Sequence, residues 1–269
     1  MVVSRGPKNA TLHWTDPVGT IIGYEMGYSS DNGSTWTTVP SSTSIFSTSG
    51  NCIEFNPTKV VAVGEGTNTI AYSIDGINWF GIGSTIFSTS GNGIVWFSNP
   101  TFSKWIAVGK GTNTIAYSFD GIKWFGGPRD IFSDSGNGIC CNVSLIVAVG
   151  KGTNTIATSS SGLVWEILGN NIFSVSGNGV AWNGLLFVAV GEGTNSIAYS
   201  YNGTNWFGLG TSIFSVRGNS ITWTGSRWVA VGEGTANTIA SSDDGITWTG
   251  RGISIFSTAG YGVSNNQVS

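Results

Sequence analysis

The sequence predicts an all-β chain folded as a six-bladed β-propeller of four-stranded antiparallel blades. Ile-Phe-Ser recurs at intervals of 41 to 45 residues, which is the length of one blade. Each interval holds four short runs rich in Val, Ile, Thr and aromatic residues, separated by turns that contain Gly or Asn. The 41 glycines argue against a repeat of helix pairs, and no helical periodicity is present. The repeats begin at Ile45, Ile86, Ile131, Ile172, Ile213 and Ile255.

The repeat that begins at Ile172 shows the strands most clearly. We predict them at 179–183, 186–191, 196–200 and 204–208. The second is apolar nearly throughout, as expected for a strand that is buried on both faces. Asn-Gly pairs mark the tight turns after the first and third strands.

The two chain ends are out of phase with the repeats. Before Ile45 there are only second-, third- and fourth-strand candidates, at 10–14, 21–29 and 34–39, and after Ile255 only a first-strand candidate, at 261–265. Together they make one composite blade, which would close the ring and remove its exposed edges. This predicts a single propeller domain over residues 1–269.

An alternative interpretation exists for the N-terminal segment. Residues 10–39 also resemble part of a fibronectin type III module, with a Trp in an early strand and a Tyr in the next. A whole module needs about 90–100 residues, so the composite blade is favoured. The alternative has five blades and an N-terminal remnant of a neighbouring module.

A turn motif recurs between the third and fourth strands. Residues 29–36 read Ser-x-Asp-x-Gly-x-Thr-Trp, and a form shorter by one residue recurs around Asp75, Asp120, Asn202 and Asp244, with Ser161 in the fifth copy. An Asp at a turn start accepts backbone N–H groups, and the following Gly takes a positive φ. The motif therefore predicts a folding element, whose Trp packs between blades.

The motif resembles the Asp-box, or BNR-repeat, of sialidases, sortilin-type receptors and photosystem II assembly factors. Sialidase activity would imply three carboxylate-binding arginines, a Tyr/Glu nucleophilic pair and an acidic acid/base residue. The chain has five arginines, and neither the carboxylate-binding set nor the Tyr/Glu pair and acid/base residue can be assigned in this sequence. The arginines are Arg5, Arg129, Arg217, Arg227 and Arg251. The resemblance implies the fold without the enzyme, so we predict no catalytic residue.

Composition excludes several other functions. Only 9% of residues are charged, the net charge is −3, and the basic residues are scattered, which argues against nucleic-acid binding. No apolar run reaches the roughly 18 residues of a membrane span, and residues 1–9 lack the apolar core of a signal peptide. Cys52, Cys140 and Cys141 suit neither a disulfide framework nor zinc and are expected to be buried. No metal or cofactor is predicted.

Two isolated polar residues complete the search for chemistry. His13, the only histidine, is expected to pack within a strand, since it has no visible triad partner. Glu54 lies on a first strand without a second carboxylate in the same column, so paired-carboxylate catalysis is not supported.

The loop between second and third strands is the candidate binding surface. Its Gly-Glu/Lys-Gly-Thr-Asn pattern recurs in five repeats, and its face is expected to include the Ser-Gly-Asn connections that precede each first strand. Five similar polar loops would suit weak multivalent binding, although Thr and Asn also cap backbone groups in turns. The candidate residues are Thr67, Asn68, Thr112, Asn113, Thr153, Asn154, Thr194, Asn195, Thr235 and Asn237.

The sequence therefore favours a non-catalytic structural or interaction scaffold, expected to be a monomer with a protein or glycan partner. By analogy with other repeat proteins of low charge, an extracellular or virion-surface setting is expected. The alternative is a multivalent glycan-binding lectin that uses the loops. A divergent glycoside hydrolase is the least favoured hypothesis.

Overall fold

The computed structural model describes residues 9–12, 26–29, 35, 37–38, 42–128 and 130–264. The chain divides into two compact units, Met1–Gly127 with Asn266–Ser269, and Pro128–Asn265. Within the described ranges, helix is confined to one turn, α1 (Ser42–Ile45). The sequence predicted no helix. This turn ends directly before Phe46, which is 1% exposed, and so delivers that ring to the core.

The first unit contains a three-stranded sheet and two four-stranded sheets, all antiparallel. The N-terminal sheet has the order β1-β2-β3, and its strands overlap the three segments predicted there. Its strands are β1 (Asn9–Leu12), β2 (Met26–Ser29) and β3 (Thr37–Thr38). Sheet I consists of β4 (Ser49–Asn56), β5 (Lys59–Glu65), β6 (Ile70–Ser73) and β7 (Trp79–Gly83). Sheet II consists of β8 (Ser90–Ser98), β9 (Ser103–Lys110), β10 (Ile115–Ser118) and β11 (Trp124–Gly126).

The second unit contains three further sheets of the same design. Sheet III consists of β12 (Ser135–Cys141), β13 (Ile146–Lys151), β14 (Ile156–Ser159) and β15 (Glu166–Ile167). Sheet IV consists of β16 (Ser176–Trp182), β17 (Phe187–Glu192), β18 (Ile197–Ser200) and β19 (Phe207–Gly208). Sheet V consists of β20 (Arg217–Trp223), β21 (Trp228–Glu233), β22 (Ile239–Ser242) and β23 (Thr249–Gly250).

Each of sheets I to V is a simple meander in which consecutive strands pair. The second strand is the most deeply buried: Val188, Ala189 and Val190 of β17 are all 0% exposed. This confirms the prediction of an apolar strand covered on both faces. The fourth strand of sheet IV is shorter than predicted, because the turn motif holds the chain as far as Trp206.

The Ser-Gly-Asn segments differ from their predicted role as connections. They form the start of each first strand, and in sheet IV Ser176 pairs with Glu192 of the same sheet and with Lys151 of sheet III. A β-bulge follows at once, between Gly177 and Gly179. The extra residue of a bulge is displaced from the ladder. Here Asn178 uses that displacement to donate from Nδ2 to the Gly218 carbonyl of sheet V, at 2.8 Å.

Three of the five described turn-motif tryptophans pack between neighbouring sheets within a unit, as the sequence predicted. Trp124 of sheet II is 7% exposed and joins a cluster with Val61 and Val63 of sheet I. Trp206 packs on the cluster between sheets III and IV, and Trp248 on the cluster between sheets IV and V. The last two are only half-buried, so their removal should cost less than that of Trp124.

The C-terminal first-strand candidate is only partly formed. Ala259 makes a single bridge to Glu233, and the Val263 amide donates to Ser220 Oγ of β20, but residues 261–264 form no regular strand. Phe256 is 41% exposed, whereas Phe214, at the equivalent position one repeat earlier, is 0% exposed.

Several predictions about the ends remain predictions. Part of each N-terminal segment, His13, and residue 265 lie outside the described residues, so the composite blade, the count of six, the fibronectin-like alternative and the single domain stay predictions. No helix in the described ranges combines the length and apolar character needed to span a membrane.

Candidate functional site

The predicted binding loop of sheet IV is held by the Ile-Phe-Ser segment that precedes the sheet. Asn195 Nδ2 donates to the Ile172 carbonyl at 2.7 Å, and its Oδ1 accepts the Gly210 amide at 2.8 Å. The Thr194 amide donates to Ser174 Oγ at 3.1 Å. The two most repeated motifs of the sequence therefore bind each other.

The same arrangement recurs in the other four sheets. Each loop Asn donates from Nδ2 to the carbonyl of the preceding Ile, and each loop Thr amide donates to the Ser two residues after that Ile. The Asn donors are Asn68, Asn113, Asn154 and Asn237, and their acceptors are Ile45, Ile86, Ile131 and Ile213. The Ser acceptors are Ser47, Ser88, Ser133 and Ser215.

Steric constraints explain why the loop residue before the Thr is a glycine. Gly193 has φ +109°, a conformation that favours glycine, and a Cβ there would lie 2.2 Å from Ser174 Oγ. Gly66, Gly111 and Gly152 show the same positive φ and the same clash with the corresponding Ser. Backbone geometry and hydrogen bonding thus account for the Gly of four loops and for the Asn of all five.

The ten predicted binding residues separate into two groups. The five Asn amides are turned into the framework, and Asn113 and Asn195 are 8% and 9% exposed. The five Thr residues, in contrast, are exposed in every sheet: Thr67, Thr112, Thr153, Thr194 and Thr235. Of the ten residues, the five Thr side chains are therefore the ones that a ligand could reach from solvent.

The charged column at the loop is partly neutralised within the chain. Arg217 stands where the other first strands begin with Ser, and it pairs with Glu233 at 2.8 Å and lies 3.8 Å from Glu192. Lys151 lies 3.9 Å from Asp134. Lys151, Glu192 and Glu233 thus have ion-pair partners within the chain. The charges at this position therefore do not identify the charge of a ligand.

The turn motif is a hydrogen-bonded cap. Asp75 Oδ1 accepts the amides of Ile77 and Asn78 at 2.8 and 2.7 Å, and the Trp79 indole donates to the Gly76 carbonyl. The Asn78 amide, the Asn78 side chain and the Ile77 amide hold the pKa of Asp75 well below its usual range. Within the described residues no cluster of three or more His, Cys, Asp or Glu could hold a metal ion.

The fifth copy of the motif makes the same contacts more weakly. Ser161 Oγ accepts the amides of Leu163 and Val164 at 3.2 and 3.4 Å, which are long for such bonds. A hydroxyl is shorter than a carboxylate and carries no charge, so this turn is held less firmly.

The three cysteines are free and half-buried rather than fully buried as predicted. Cys52 packs against the cluster between sheets I and II, and Cys140 against that between sheets III and IV. Burial raises the pKa of Cys52 to about 11 and raises the pKa of Cys140 as well. Such thiols are weak nucleophiles at neutral pH.

Glu54 of β4 is half-buried and accepts the amide of the next residue, Phe55, at 3.0 Å. This is a local hydrogen bond to the backbone and not a pair of carboxylates, so it adds no support for paired-carboxylate catalysis.

Exposed aromatic residues on the third and fourth strands were missed by sequence reasoning. Tyr and Phe stack across these strands in sheets I, II and IV, with ring centroids 5.3 to 5.4 Å apart. Sheets III and V have polar residues at the same positions. These aromatic residues are visible in the sequence as a difference between the repeats. A search for the residues that all repeats share does not find them. The pairs are Tyr72–Phe80, Tyr117–Phe125 and Tyr199–Phe207.

A further exposed position lies in the turn itself, directly after its Ser. It holds Ile74, Phe119 and Tyr201 in sheets I, II and IV, exposed by 68%, 59% and 54%. In sheets III and V the residues there are Ser160 and Asp243. At this turn position, apolar side chains therefore occur in three of the five described sheets.

Comparison with known proteins gives the fold. No family model and no curated protein matches the chain. A chain of the nidogen–laminin complex aligns with a TM-score of 0.61 and 14% identity, covering 90% of this chain and 95% of that one. YCF48 bound to a D1 peptide aligns with a TM-score of 0.58 and 19% identity, covering 92% and 86%. The computationally designed Ika8 protein aligns with a TM-score of 0.54 and 12% identity, covering 95% and 77%. At these identities the likeness is one of architecture, and the chain has a β-propeller fold.

Proposed function

We propose that the chain is a non-catalytic β-propeller scaffold of the Asp-box type that binds a protein partner. One observation carries the proposal. Apart from the loop Thr side chains, the polar residues that recur in every described sheet are engaged in hydrogen bonds within the chain, whereas exposed aromatic residues of the turn and fourth strand occur in sheets I, II and IV alone among the described sheets. Contacts with a partner would then be made by the variable aromatic surface, since exposed aromatic residues are typical of protein interfaces.

Two of the similar structures support a protein partner. One belongs to a nidogen–laminin complex and another is YCF48 bound to a D1 peptide. Both place a propeller in contact with another polypeptide. A common architecture does not fix a function, so the proposal depends on the surface residues of this chain.

A peptide-display selection against the folded chain tests the proposal. We expect selected peptides to bind the folded chain and to lose affinity when Phe80, Phe125 and Phe207 are all changed to Ser. The matched control changes Ile167 and Thr249, which are also exposed on fourth strands, to Ser. A selection that yields no binding to the folded chain, or binding that survives the triple aromatic change, would contradict the proposal.

The glycan-binding alternative is retained for one reason: the exposed Thr side chains occur at the same loop position in all five described sheets. A glycan array separates it from protein binding. The lectin hypothesis requires a glycan signal that disappears when Thr67, Thr112, Thr153, Thr194 and Thr235 are replaced together by Ala. The non-catalytic assignment is tested with the same preparation, because turnover of any glycosidase substrate would overturn it.

A further inference from the structure

One lysine of sheet II holds its ammonium group among aromatic rings without an anionic partner. Lys104 on β9 is 3% exposed, and its Nζ lies 4.6, 5.1 and 6.0 Å from the ring centroids of Phe102, Phe119 and Tyr117. Across the described ranges it makes no hydrogen bond and no ion pair. The stem of the side chain is covered while the ammonium tip still reaches solvent, and desolvation lowers its pKa.

The equivalent residues of two other sheets have an oxygen partner. In sheet I, Lys59 donates to the Asp120 carbonyl at 2.5 Å. In sheet V, Arg227 Nε donates to Asp243 Oδ1 at 2.7 Å. Asp243 occupies the turn position that Phe119 occupies in sheet II, so a carboxylate at this place is within reach of the cation. Sheet II has the cation, Lys104, but has Phe119 in place of the carboxylate of Asp243.

The surroundings of Lys104 are cationic and apolar. Lys123 Nζ lies 5.5 Å from the ring centroid of Phe125, and it too makes no ion pair with a described residue. The nearby Asp120 carboxylate already accepts the amides of Ile122 and Lys123. We name the Lys104 patch by its six residues: Phe102, Lys104, Tyr117, Phe119, Lys123 and Phe125.

We propose that the Lys104 patch binds an acidic segment of a partner polypeptide. An Asp or Glu side chain pairs with Lys104, in the manner of Asp243 with Arg227, and an adjacent apolar side chain packs on Phe119 and Phe125. Phe119 is 59% exposed and lies beside the ammonium, so one segment can reach both the ring and the charge. The inference rests on the proposed function and specifies the chemistry of the partner.

The test uses three fluorescent heptapeptide probes: Gly-Glu-Phe-Gly-Glu-Phe-Gly and its Gln and Lys counterparts. Fluorescence anisotropy on the full chain should show the Glu probe binding at least about tenfold more tightly than the Gln probe, as expected for a charge-assisted contact. The preference should weaken as salt rises, and the Lys probe should not bind.

Two variants and one control identify the site. Lys104→Met keeps the aliphatic stem and removes the charge, and Phe119→Asp supplies the carboxylate within the chain, as sheet V does. Both should abolish the preference for the Glu probe. Ser160→Asp is the control, because Ser160 is exposed at the same turn position of sheet III and that sheet has Leu145 at the lysine position, so it gains no ion pair. It should leave the affinity within about twofold.

Each result is decisive. Equal affinity for the Glu and Gln probes, or a preference that survives Lys104→Met, overturns the inference. If display-selected peptides bind the folded chain but neither variant weakens them, the scaffold function stands and this site is wrong. If nothing binds the folded chain, the proposed function itself fails and the inference fails with it.

Discussion

Replacing Asn195 by Ala tests whether the most repeated polar residue of this chain serves the fold or a ligand. The amide of Asn195 is 9% exposed and joins the Gly-Thr-Asn loop to two backbone groups, the Ile172 carbonyl and the Gly210 amide. Alanine makes neither contact. It leaves a donor and an acceptor unpaired at a site from which water is largely excluded.

The expected cost follows from those two groups. An unpaired buried polar group costs about 1–3 kcal/mol, and the partial exposure of the loop favours the lower half of that range. We therefore expect Asn195→Ala to reduce the free energy of unfolding by about 2–4 kcal/mol. For a chain of this size that corresponds to a fall in Tm of roughly 10 °C.

Urea denaturation followed by tryptophan fluorescence measures the effect, and Thr194→Ala is the matched control. Thr194 is the adjacent residue in the same loop, its side chain is exposed, and its amide-to-Ser174 bond survives the change. We expect that variant to lie within about 0.5 kcal/mol of the parent chain. If Asn195→Ala were as stable as Thr194→Ala, the structural explanation of the loop would be refuted.

Three further predictions concern the turn motif and the thiols. Ser161→Asp should raise the free energy of unfolding by about 0.5–1.5 kcal/mol, because a carboxylate reaches the Leu163 and Val164 amides more closely; a urea midpoint that does not rise would contradict this. Partial burial raises the pKa of Asp244, but hydrogen bonds from the amides at 247 and 246 outweigh it and lower the pKa to about 2. Since the unfolded value is about 4, this carboxylate contributes stability above about pH 4 that is lost as the pH falls through 2, and Asp244→Asn should flatten the urea midpoint over that interval. Because the pKa of Cys52 is about 11, its thiolate fraction at pH 8 is on the order of one in a thousand, and mass spectrometry after iodoacetamide treatment should find it alkylated far more slowly in the folded chain than in urea.

The strands of this fold could be predicted from the sequence because the same pattern of apolar and turn residues recurs in every repeat. Val/Ile-Ala-Val-Gly marks the buried second strand, and the turn motif marks the hairpin that follows the third. What could not be predicted is the β-bulge in each first strand. Asn178 leaves the ladder to bind a carbonyl of the next sheet, at Gly218, and a residue 40 positions away is invisible to a pattern that extends over one strand.

For a related physical reason, the sequence could not separate a structural role of the loop Asn and Thr residues from a ligand-binding one. Repetition of a polar residue is what a ring of identical ligand sites would require, but it is also what identical backbone geometry requires. The hydrogen-bond distances separate a structural role from a ligand-binding one. Both the nitrogen and the oxygen of the Asn195 side chain are bonded within the chain, whereas Thr194 is bonded through its backbone amide and its side chain is exposed.

The more informative residues are those that break the repeat. At one turn position a cation partner is supplied in sheet V by Asp243 and is replaced in sheet II by an exposed Phe119. A chain whose framework contacts are satisfied by its shared residues can change this position without loss of stability. Its exposed ring beside an unpaired ammonium is therefore better explained by a partner than by folding, and Phe119→Asp against Ser160→Asp is the comparison that decides between them.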